Sequence, residues 1–343
     1  MGITMGAYID GGGHVGPHMK DVSVYDGIDR LLVTGSDEAR GIAEEVEKAE
    51  YVDYWRSLVD DPEVPAVFVM TNNRDAGRLT VEAVEAGTWV YAEKPGARTA
   101  EEMLAIVDAC DRTGAHFTPC YVRRTFPDTL EIKRLYEAGA VGDLWSFQAN
   151  WITSQAAIRG VDSWMFSDEM AGGGILYWLG CHWIDMLRFV TGQRIVSVSA
   201  MCRTMDERIS VEDVACVAAE LEGGAVGVIR CGYLKNPYNG YEDCQLMTAW
   251  EGSHGTISHH PHGAITLRMQ TSAEGFCVST ESREIAINHP PTGGYALALL
   301  DDFVHAMDEE RAPLVAERDA LYVLKVAEAA YEASRTGRHQ QID

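Results

Sequence analysis

Long apolar runs are missing from this sequence. No stretch of the 343-residue chain approaches the roughly 18 to 20 consecutive apolar residues that a membrane-spanning helix requires. A basic, apolar leader is missing as well, because Ile3 to Ile9 is already typical of a strand that feeds into glycines. We therefore expect a cytoplasmic protein with no membrane partner.

Positive charge is scarce. Lysine occurs only at positions 20, 48, 94, 133, 235 and 325, and the formal net charge is -24. Such a charge repels nucleic acid and anionic membranes, so neither is expected as a partner. The acid excess has two interpretations, a surface that keeps the protein in solution or an adaptation to high salt.

Paired cysteines of the C-x-x-C type are also missing. The eight cysteines are scattered, which indicates reduced, mostly buried thiols and excludes a disulfide framework or a zinc site. His259, His260 and His262, near His254, have H-H-x-H spacing beside Pro261, with no carboxylate or cysteine at a fixed distance. We interpret them as solvated loop histidines and predict no metal site.

The first 120 residues alternate short apolar runs with helical stretches, which predicts an α/β fold with a doubly wound parallel sheet. The predicted strands are Ile3 to Ile9, Arg30 to Thr34, Ala66 to Thr71, Trp89 to Ala92 and His116 to Thr118. The predicted helices are Glu38 to Glu47, Asp75 to Ala86 and Ala100 to Thr113.

After about residue 122 the pattern changes to two helices and then successive alternating segments. The helices are Pro127 to Glu137 and Gly174 to Val190, and the segments are Ile195 to Cys202, Val214 to Leu221, Ala225 to Cys231, Gln245 to Trp250 and Ala264 to Met269, before a last helix from Arg318 to Arg335. Consecutive strands favour a mixed, largely antiparallel sheet. We predict a dinucleotide-binding domain over residues 1–122 and an α+β domain for substrate binding and oligomerisation over 123–343.

A G-x-G-x-x-G fingerprint follows the first strand at Gly11, Gly13 and Gly16, with His14 and Val15 inside it. One glycine permits the tight turn, the next lets the backbone approach a pyrophosphate, and the third lets helix and strand pack closely. The N-terminus of the following helix offers N–H groups to the phosphate. These residues predict a Rossmann dinucleotide site.

The acidic residue expected at the end of the second strand is missing, and Gly35 and Ser36 stand there instead. An acid at this position binds the ribose hydroxyls of NAD and repels the 2'-phosphate of NADP. The cofactor is therefore NAD or NADP, with Ser36 as a binding residue and a slight preference for NADP. Asp37 leaves both open, because it could take the ribose or cap the next helix.

Two further segments carry a family resemblance. Glu93-Lys94-Pro95 follows a buried strand, and residues 172–185 read G-G-G-I-L-Y-W-L-G-C-H-W-I-D. With the glycine fingerprint, the Thr71-Asn72-Asn73 turn, Glu85-Ala86-Gly87 and the run G-A-V-G-D-L over 139–144, the chain resembles the glucose-fructose oxidoreductase and inositol dehydrogenase family, called Gfo/Idh/MocA. The resemblance covers essentially the whole chain.

The resemblance implies the roles of several residues. Lys94 would hold the substrate oxygen at the reactive face of the cofactor, and His182 would accept the hydroxyl proton. Further cofactor contacts are implied for Thr71, Asn72, Asn73, Glu93 and Lys94.

The sequence also departs from the family pattern. An aspartate usually stands four residues before the histidine, and this chain has Trp178 there, which leaves Lys94 and His182 for the proton work. The domain junction departs from G-x-N-x-R, which leaves Arg124 as a candidate substrate anchor. Tryptophan faces stack on sugar rings, so we interpret Trp178 as a ring platform. The predicted substrate residues are Tyr121, Arg124, Trp151, Tyr177, Trp178 and Asp185.

The function expected from these residues is NAD(P)-dependent hydride transfer to or from a secondary alcohol of a sugar, sugar derivative or cyclic polyol. One alternative is an NAD-dependent glycoside hydrolase or lyase that oxidises its substrate transiently and keeps its cofactor bound. A second is a non-catalytic nucleotide-sensing homologue. By analogy with the family we expect a homodimer or homotetramer.

Overall fold

A computed structural model describes residues 2–233, 244–260, 266–276, 283–286, 294 and 296–343. For residues 244, 266, 267 and 283–286 the backbone alone is described. The chain forms two compact units. The first comprises Met1–Val122, Glu169–Gly172 and Pro290–Leu324, and the second comprises Arg123–Asp168, Gly173–His289 and Lys325–Asp343.

Fifteen strands are described. They are β1 (Ile3–Ile9), β2 (Ile28–Gly35), β3 (Ala49–Tyr51), β4 (Ala66–Met70), β5 (Trp89–Ala92), β6 (Phe117–Pro119), β7 (Leu144–Thr153), β8 (Ile195–Arg203), β9 (Val214–Leu221), β10 (Val226–Gly232), β11 (Cys244–Gly252), β12 (Gly255–His260), β13 (Thr266–Thr271), β14 (Arg283–Ala286) and β15 (Gln340–Gln341).

The described α-helices number eleven. They are α1 (Val15–Val24), α2 (Asp37–Glu45), α3 (Arg56–Val59), α4 (Asn73–Glu85), α5 (Ala100–Thr113), α6 (Pro127–Glu137), α7 (Gln155–Arg159), α8 (Asp168–Ala171), α9 (Cys181–Thr191), α10 (Leu297–Asp308) and α11 (Glu317–Thr336). Two 3₁₀ turns, Val122–Thr125 and Trp164–Phe166, and a π-helix, Leu176–Gly180, complete the set.

The first unit contains a six-stranded parallel sheet in the order β3-β2-β1-β4-β5-β6. In the register of its centre, Met5 on β1 lies between Leu31 on β2 and Ala66 on β4. All five residues of β4 are buried, as expected for a parallel strand covered on both faces. The predicted doubly wound sheet is confirmed, and the strand order reverses beside β1, where such folds bind ligands.

The helices of this unit begin and end where local chemistry predicts. The Thr99 side chain accepts the N–H of Glu102 at 3.0 Å at the start of α5, and Gly114 ends that helix with φ +77°. Met103 and Ile106 are buried on the face of α5 that packs in the core. The predicted bounds of α5 match the structure, whereas β3, α3 and α10 were missed because they are short or lack strong strand or cap signals.

Two later segments pack within the first unit rather than with the rest of 123–343. The Asp21 carboxylate accepts the N–H groups of Gly294 at 2.5 Å and Ala296 at 2.7 Å, just before α10. The Asn73 side chain donates to the carbonyl of Ala171 at 2.8 Å. These long-range hydrogen bonds cannot be read from local patterns. The assignment of separate functional roles to residues 1–122 and 123–343 stays a prediction.

The second unit contains a nine-stranded sheet in the order β14-β13-β12-β11-β7-β10-β9-β8-β15. Only the β7 and β10 pair is parallel, with Ala149 opposite Ile229, and every other neighbouring pair among the described strands is antiparallel. This confirms the mixed, largely antiparallel sheet. The sequence analysis missed the central strand β7, although Ser146, Gln148 and Asn150 alternate with apolar residues, which is a strand signal.

The histidine group is not a loop. His259 and His260 belong to β12, and His259 is buried with its Nε2 at 3.5 Å from Asp128 Oδ2. The loop interpretation is therefore wrong for these two residues, since β12 pairs with β11 and β13. His262 lies outside the described residues, as do positions 264 and 265 of the predicted strand Ala264 to Met269.

Thiol positions agree with the expected reduced state. Six cysteine side chains are described and are unpaired with one another; Cys110, Cys120, Cys181 and Cys231 are buried, Cys202 is half-buried and Cys216 is exposed. The Cys244 side chain and Cys277 lie outside the described residues. Within the described part of the chain, no helix combines the length and the apolar character needed to cross a bilayer.

Candidate active site

The glycine turn follows β1 and leads into α1. Gly11 has φ +68°, which glycine adopts readily. A Cβ on Gly12 would lie 2.9 Å from the carbonyl carbon and oxygen of Met70, so the turn passes closely over the end of β4. A Cβ on Gly16 would meet no described atom within 4 Å. The sequence analysis named Gly11, Gly13 and Gly16 and missed Gly12, although three consecutive glycines were the available signal.

Helix α1 begins at Val15, directly after His14. The His14 side chain turns toward β5, where its Nδ1 lies 3.1 Å from Oε1 of Glu93. Because the first N–H groups of a helix have no partner within the helix, this N-terminus is suited to an anionic group. The turn and the helix start therefore have the geometry of a phosphate cradle.

The end of β2 carries small polar residues. Gly35 has φ +129°, and a Cβ there would lie 2.1 Å from the carbonyl oxygen of Ile9, so only glycine fits. The Ser36 N–H donates to that same oxygen at 3.0 Å. On the neighbouring helix α2, the guanidinium carbon of Arg40 lies 3.8 Å from the centroid of the Tyr51 ring. A hydroxyl thus stands at the end of β2, where NAD-binding folds place an acid, and a cation lies on the helix that follows. Sequence reasoning missed Arg40 and Tyr51.

Two acidic residues begin α2. Asp37 is its first residue, a position at which the helix dipole favours a carboxylate. Glu38 follows, and its carboxylate accepts the N–H of Gly11 at 3.1 Å. The capping interpretation of Asp37 is wrong, because Ser36 occupies the N-cap of α2 and no described side chain makes a cap hydrogen bond there. The ribose interpretation stays a prediction.

The Thr71-Asn72-Asn73 turn follows β4, and its side chains are buried. Asn72 caps α4 by accepting the N–H of Asp75 at 3.1 Å, and its amide donates to Thr71 Oγ1 at 3.3 Å. The Asn73 amide donates to Ala171. These contacts fix the turn at the carboxyl end of the sheet, beside the glycine turn. Their predicted contact with a cofactor stays a prediction.

Lys94 lies two residues after β5, and its side chain is 0% exposed. The peptide bond between Lys94 and Pro95 is cis. The preceding carboxylate, that of Glu93, contacts His14 and also His18, whose Nε2 lies 2.9 Å from Oε1. Lys94 thus brings a fully buried ammonium to the carboxyl end of a parallel strand, and its role toward a substrate oxygen stays a prediction.

In the second unit, Trp178 and His182 belong to two different kinds of helix. Residues 176–180 form a π-helix, and α9 begins at Cys181. The prediction of one regular helix from Gly174 to Val190 is wrong here. A π-helix has hydrogen bonds between residues i and i+5 and contains more residues per turn than an α-helix. Regular helix spacing therefore does not relate residue 178 to residues 182 and 185.

The start of this segment is held by a buried acid. The Glu212 carboxylate accepts the N–H of Gly174 at 2.7 Å, the N–H of Leu176 at 2.8 Å and the hydroxyl of Tyr331 at 2.9 Å. A Cβ on Gly174 would lie 1.9 Å from the carbonyl oxygen of Glu212, which explains the glycine. Burial raises the pKa of Glu212 to about 7, although all three donors act to lower it. Sequence reasoning missed this residue.

Aromatic rings surround the predicted residues of the second unit. The His182 ring lies 5.7 Å from the ring of Trp151, and Trp178 makes an edge contact with Trp164 at 5.9 Å. Tyr177 instead lies 5.4 Å from Tyr331. Trp151 and Trp178 thus stay candidates for stacking on a sugar ring, and Tyr177 has a different neighbourhood from Trp178.

Asp185 and Arg124 bind each other. The Arg124 Nε lies 3.1 and 3.0 Å from the two carboxylate oxygens of Asp185, and both side chains are buried. Asp185 was predicted to orient His182, bind substrate or cap a helix, and the structure adds this ion pair. Tyr121, in the first unit, is fully buried. The substrate roles of all three stay predictions.

Among the described residues, one set of side chains has metal-ligand geometry. It consists of His18, Glu93 and Cys120, whose donor atoms lie within 4.8 Å of one another. The sequence analysis did not connect these residues, because they come from α1, from the end of β5 and from the residue after β6.

Two family models match the chain. The model described as an oxidoreductase family with an NAD-binding Rossmann fold matches residues 6–121. The model described as the GFO/IDH/MocA C-terminal domain matches residues 129–258.

Several curated relatives are named as dehydrogenases. The chain is 27% identical to scyllo-inositol 2-dehydrogenase (NAD(+)) of Bacillus subtilis over 91% of its own length and 89% of that protein. It is 23% identical to D-xylose 1-dehydrogenase (NADP(+)) 2 of Haloferax volcanii, over 91% of each chain. With levoglucosan dehydrogenase of Pseudarthrobacter phenanthrenivorans the identity is 36%, over 40% of this chain and 36% of that protein.

Solved structures share the fold over the full chain. Levoglucosan dehydrogenase in complex with NADH has a TM-score of 0.89 at 21% identity and covers 100% of both chains. An oxidoreductase domain protein from Kribbella flavida has a TM-score of 0.86 at 22% identity, again over 100% of both chains. With family models matching both parts of the sequence, the chain belongs to the Gfo/Idh/MocA family of oxidoreductases.

Proposed function

We propose that this protein transfers hydride reversibly between NAD(P) and a secondary alcohol or ketone of a sugar, sugar derivative or cyclic polyol. The observation that carries the proposal is the fully buried Lys94 at the carboxyl end of β5, in a chain whose Rossmann part matches an NAD-binding oxidoreductase family. Relatives named as inositol, xylose and levoglucosan dehydrogenases support the substrate class.

The residues present fit a dinucleotide. Side chains at Gly12 and Gly35 would collide with the backbone of Met70 and Ile9, and Gly16 borders open space among the described atoms. Backbone therefore forms the surface of the turn, as close approach to a pyrophosphate requires. When bound, the nicotinamide dinucleotide supplies or accepts the hydride.

We assign the proton work to Lys94 and His182. The Lys94 ammonium would donate a hydrogen bond to the substrate oxygen and stabilise the alkoxide that forms as hydride leaves the carbon. His182 would accept the hydroxyl proton, a task suited to imidazole near neutral pH. The two residues come from different units of the chain, and their joint action is a proposal.

Trp178 replaces the aspartate that the family usually carries and is proposed as a platform for the sugar ring. Its indole can stack on a ring but cannot accept a proton. Trp178→Asp tests the alignment: a gain in turnover on cyclic polyols would support it. An active variant with an unchanged substrate profile would contradict it.

For the cofactor we propose a preference for NADP. The Ser36 hydroxyl and the Arg40 guanidinium, stacked on Tyr51, suit a 2'-phosphate, because a guanidinium binds phosphate oxygens with planar, charge-assisted hydrogen bonds. The dissociation constants of NADH and NADPH test this. A preference for NADH above tenfold would contradict it.

The decisive experiment for the function is a screen of sugars and polyols with each cofactor, followed at the absorbance band of the reduced nicotinamide. Substrate-dependent change with purified protein is expected. Cofactor that copurifies, with product formed without net reduction, would favour the hydrolase or lyase alternative. Cofactor binding without turnover across the panel would favour the nucleotide-sensing alternative.

We further propose a cytoplasmic homodimer or homotetramer. The sheet of the second unit exposes Met201, Val226 and Val228, and Cys216 lies opposite Met201 in the register of β8 and β9. Exposed apolar residues on one sheet face mark an association surface. Light scattering should give a multiple of the 37.7 kDa chain mass. A monomeric mass at micromolar concentration would contradict the proposal.

A further inference from the structure

Four polar side chains lie close together, one of them next to Lys94 in the chain. His14 from the glycine turn, His18 from α1 and Cys120 from the residue after β6 surround the Glu93 carboxylate. The distances are 3.1 Å from His14 Nδ1 to Glu93 Oε1, 2.9 Å from His18 Nε2 to the same oxygen, and 3.5 Å from His18 Nε2 to Cys120 Sγ. We call these four residues the Glu93 cluster.

Two members of the Glu93 cluster come from the start of α1. His14 directly precedes the helix and His18 lies in its first turn, and both imidazoles contact Glu93 Oε1. His18, Glu93 and Cys120 are buried, and Glu93 Oε2 has no hydrogen-bond partner among the described residues. Burying a carboxylate oxygen without a hydrogen bond costs free energy. Core packing alone therefore does not account for the Glu93 cluster.

The members of the Glu93 cluster act on one another's charges. Burial acts to lower the pKa of His18, but Cys120 and Glu93 outweigh it and raise that pKa to about 10. Burial acts to raise the pKa of Glu93, but His14, His18 and Lys94 hold it well below its ordinary value. Both shifts favour the charged forms that hydrogen-bond to each other.

Glu93 directly precedes Lys94 in the chain, and the ammonium of Lys94 is one of the charges that act on its carboxylate. Anchoring a carboxylate to two imidazoles fixes the backbone from which the next side chain projects. His14 also belongs to the glycine turn, so the same hydrogen bonds join that turn to the Lys94 turn.

We propose that Glu93 is a positioning residue for Lys94, held by His14 and His18, rather than a residue that binds the cofactor. The inference rests on the proposed function, since positioning has a catalytic effect only where Lys94 acts on a substrate. It replaces the direct cofactor contact that family resemblance implies for Glu93. Displacing a catalytic group by about 1 Å can cost a hundredfold in rate.

The first test uses Glu93→Gln and is independent of turnover. Histidine resonances of the isotope-labelled full chain are followed by NMR from pH 5 to 10. Removal of the Glu93 charge should lower the pKa of His18 in the variant relative to the wild type. An unchanged His18 titration would overturn the proposal. Glu317→Gln is the matched control, because Glu317 is a buried carboxylate at 3.2 Å from His116 in the same unit.

The second test separates positioning from folding. Glu93→Gln should lower kcat by about tenfold to a hundredfold, with the cofactor dissociation constant and the sugar KM changed less than threefold. His18→Gln, which keeps an N–H donor, should retain more activity than His18→Phe. Glu317→Gln should keep kcat within twofold. A Glu93→Gln protein that is less heat-stable but has wild-type kcat would overturn the proposal.

Three remaining outcomes are decisive. If the wild type turns over no sugar or polyol, the proposed function fails, and this inference fails with it. If the wild type is active and Glu93→Gln has the same kcat, the positioning role alone fails. Stoichiometric zinc in the purified wild type that is lost in Glu93→Gln would also overturn the proposal, because the Glu93 cluster would then be a metal site.

Discussion

The two units of this protein fix their functional side chains in different ways. In the first unit, the glycine turn, the Asn72 cap and the Glu93 turn each follow a parallel strand, so a short stretch of sequence places each group. In the second, His182 lies on a helix preceded by a π-helix, and its ring neighbour Trp151 comes from β7. The segment before His182 contacts Trp164 of the 3₁₀ turn and Glu212. Local motifs place the first set, and long-range packing places the second.

The same contrast holds for the electrostatics. Lys94 is adjacent to an ionised carboxylate that is bound by two histidines. His182 instead packs against the Trp151 ring, and the nearby acid Asp185 is bound by Arg124. Charged groups thus lie beside the candidate residue of the first unit, and an aromatic ring lies beside that of the second. Four substitutions test this comparison.

The largest effect is expected for Lys94→Met, which keeps most of the buried volume but removes the charge. Turnover should fall by about 10² to 10⁴, the usual contribution of a positioned proton donor, while the cofactor dissociation constant stays within threefold. Initial rates and fluorescence titration give the two values. Lys133→Met, at a partly exposed lysine paired with Glu137, is the control. Turnover within tenfold of the wild type would remove Lys94 from the mechanism.

Arg124→Met tests whether Arg124 is structural or anchors substrate. Removing one partner leaves Asp185 as an uncompensated buried charge, so the free energy of unfolding should fall by about 3 to 5 kcal/mol. Urea denaturation measures it, and the double variant Arg124→Met with Asp185→Leu should recover most of the loss. Unchanged stability with a raised sugar KM would instead support the substrate anchor predicted from the sequence.

Glu212→Gln tests the acid that holds the π-helix segment. Burial raises the Glu212 pKa from 4.5 to about 7, so the folded state keeps a proton that the unfolded state has lost. Glu212 therefore makes its full contribution to the free energy of unfolding below pH 4.5. That contribution decreases as the pH rises to about 7, by roughly 3 kcal/mol at about 1.4 kcal/mol per pKa unit.

The urea midpoint of the wild type should consequently decline relative to that of Glu212→Gln between pH 5 and 7.5. Glu222→Gln, an exposed acid on the turn after β9, is the control. Parallel pH profiles for the wild type and Glu212→Gln would show that Glu212 is not protonated in the folded protein near neutrality.

The smallest effect is expected for Arg40→Ala on helix α2. NADPH binding should weaken about tenfold, or about 1.4 kcal/mol, and NADH binding should stay within twofold, because only NADPH carries the 2'-phosphate. Arg30→Ala, at an exposed arginine on β2 paired with Glu50, is the control. Equal losses for both cofactors would place Arg40 near a group that they share.

Much of the fold could be predicted from local signals. Strand bounds at β1, β5 and β9 and helix bounds at α5 and α6 match the structure, because their apolar periodicity and caps are strong. The central strand β7 was missed, although the alternation of polar and apolar residues along it was an available signal. His259 was read as a loop residue because a short strand beside an X-Pro step gives little signal.

Sequence alone determined the Rossmann fingerprint, the family resemblance and the residues Lys94 and His182 as candidates, because glycine spacing and turn chemistry act over a few residues. The tertiary structure decided what those side chains contact. Three sets of contacts connect residues that are distant in sequence. They are the contacts of His14, His18 and Cys120 around Glu93, the ion pair of Arg124 with Asp185, and the hydrogen bonds of Glu212 to the π-helix segment. Such contacts depend on how the strands and helices pack, and no local pattern encodes that packing.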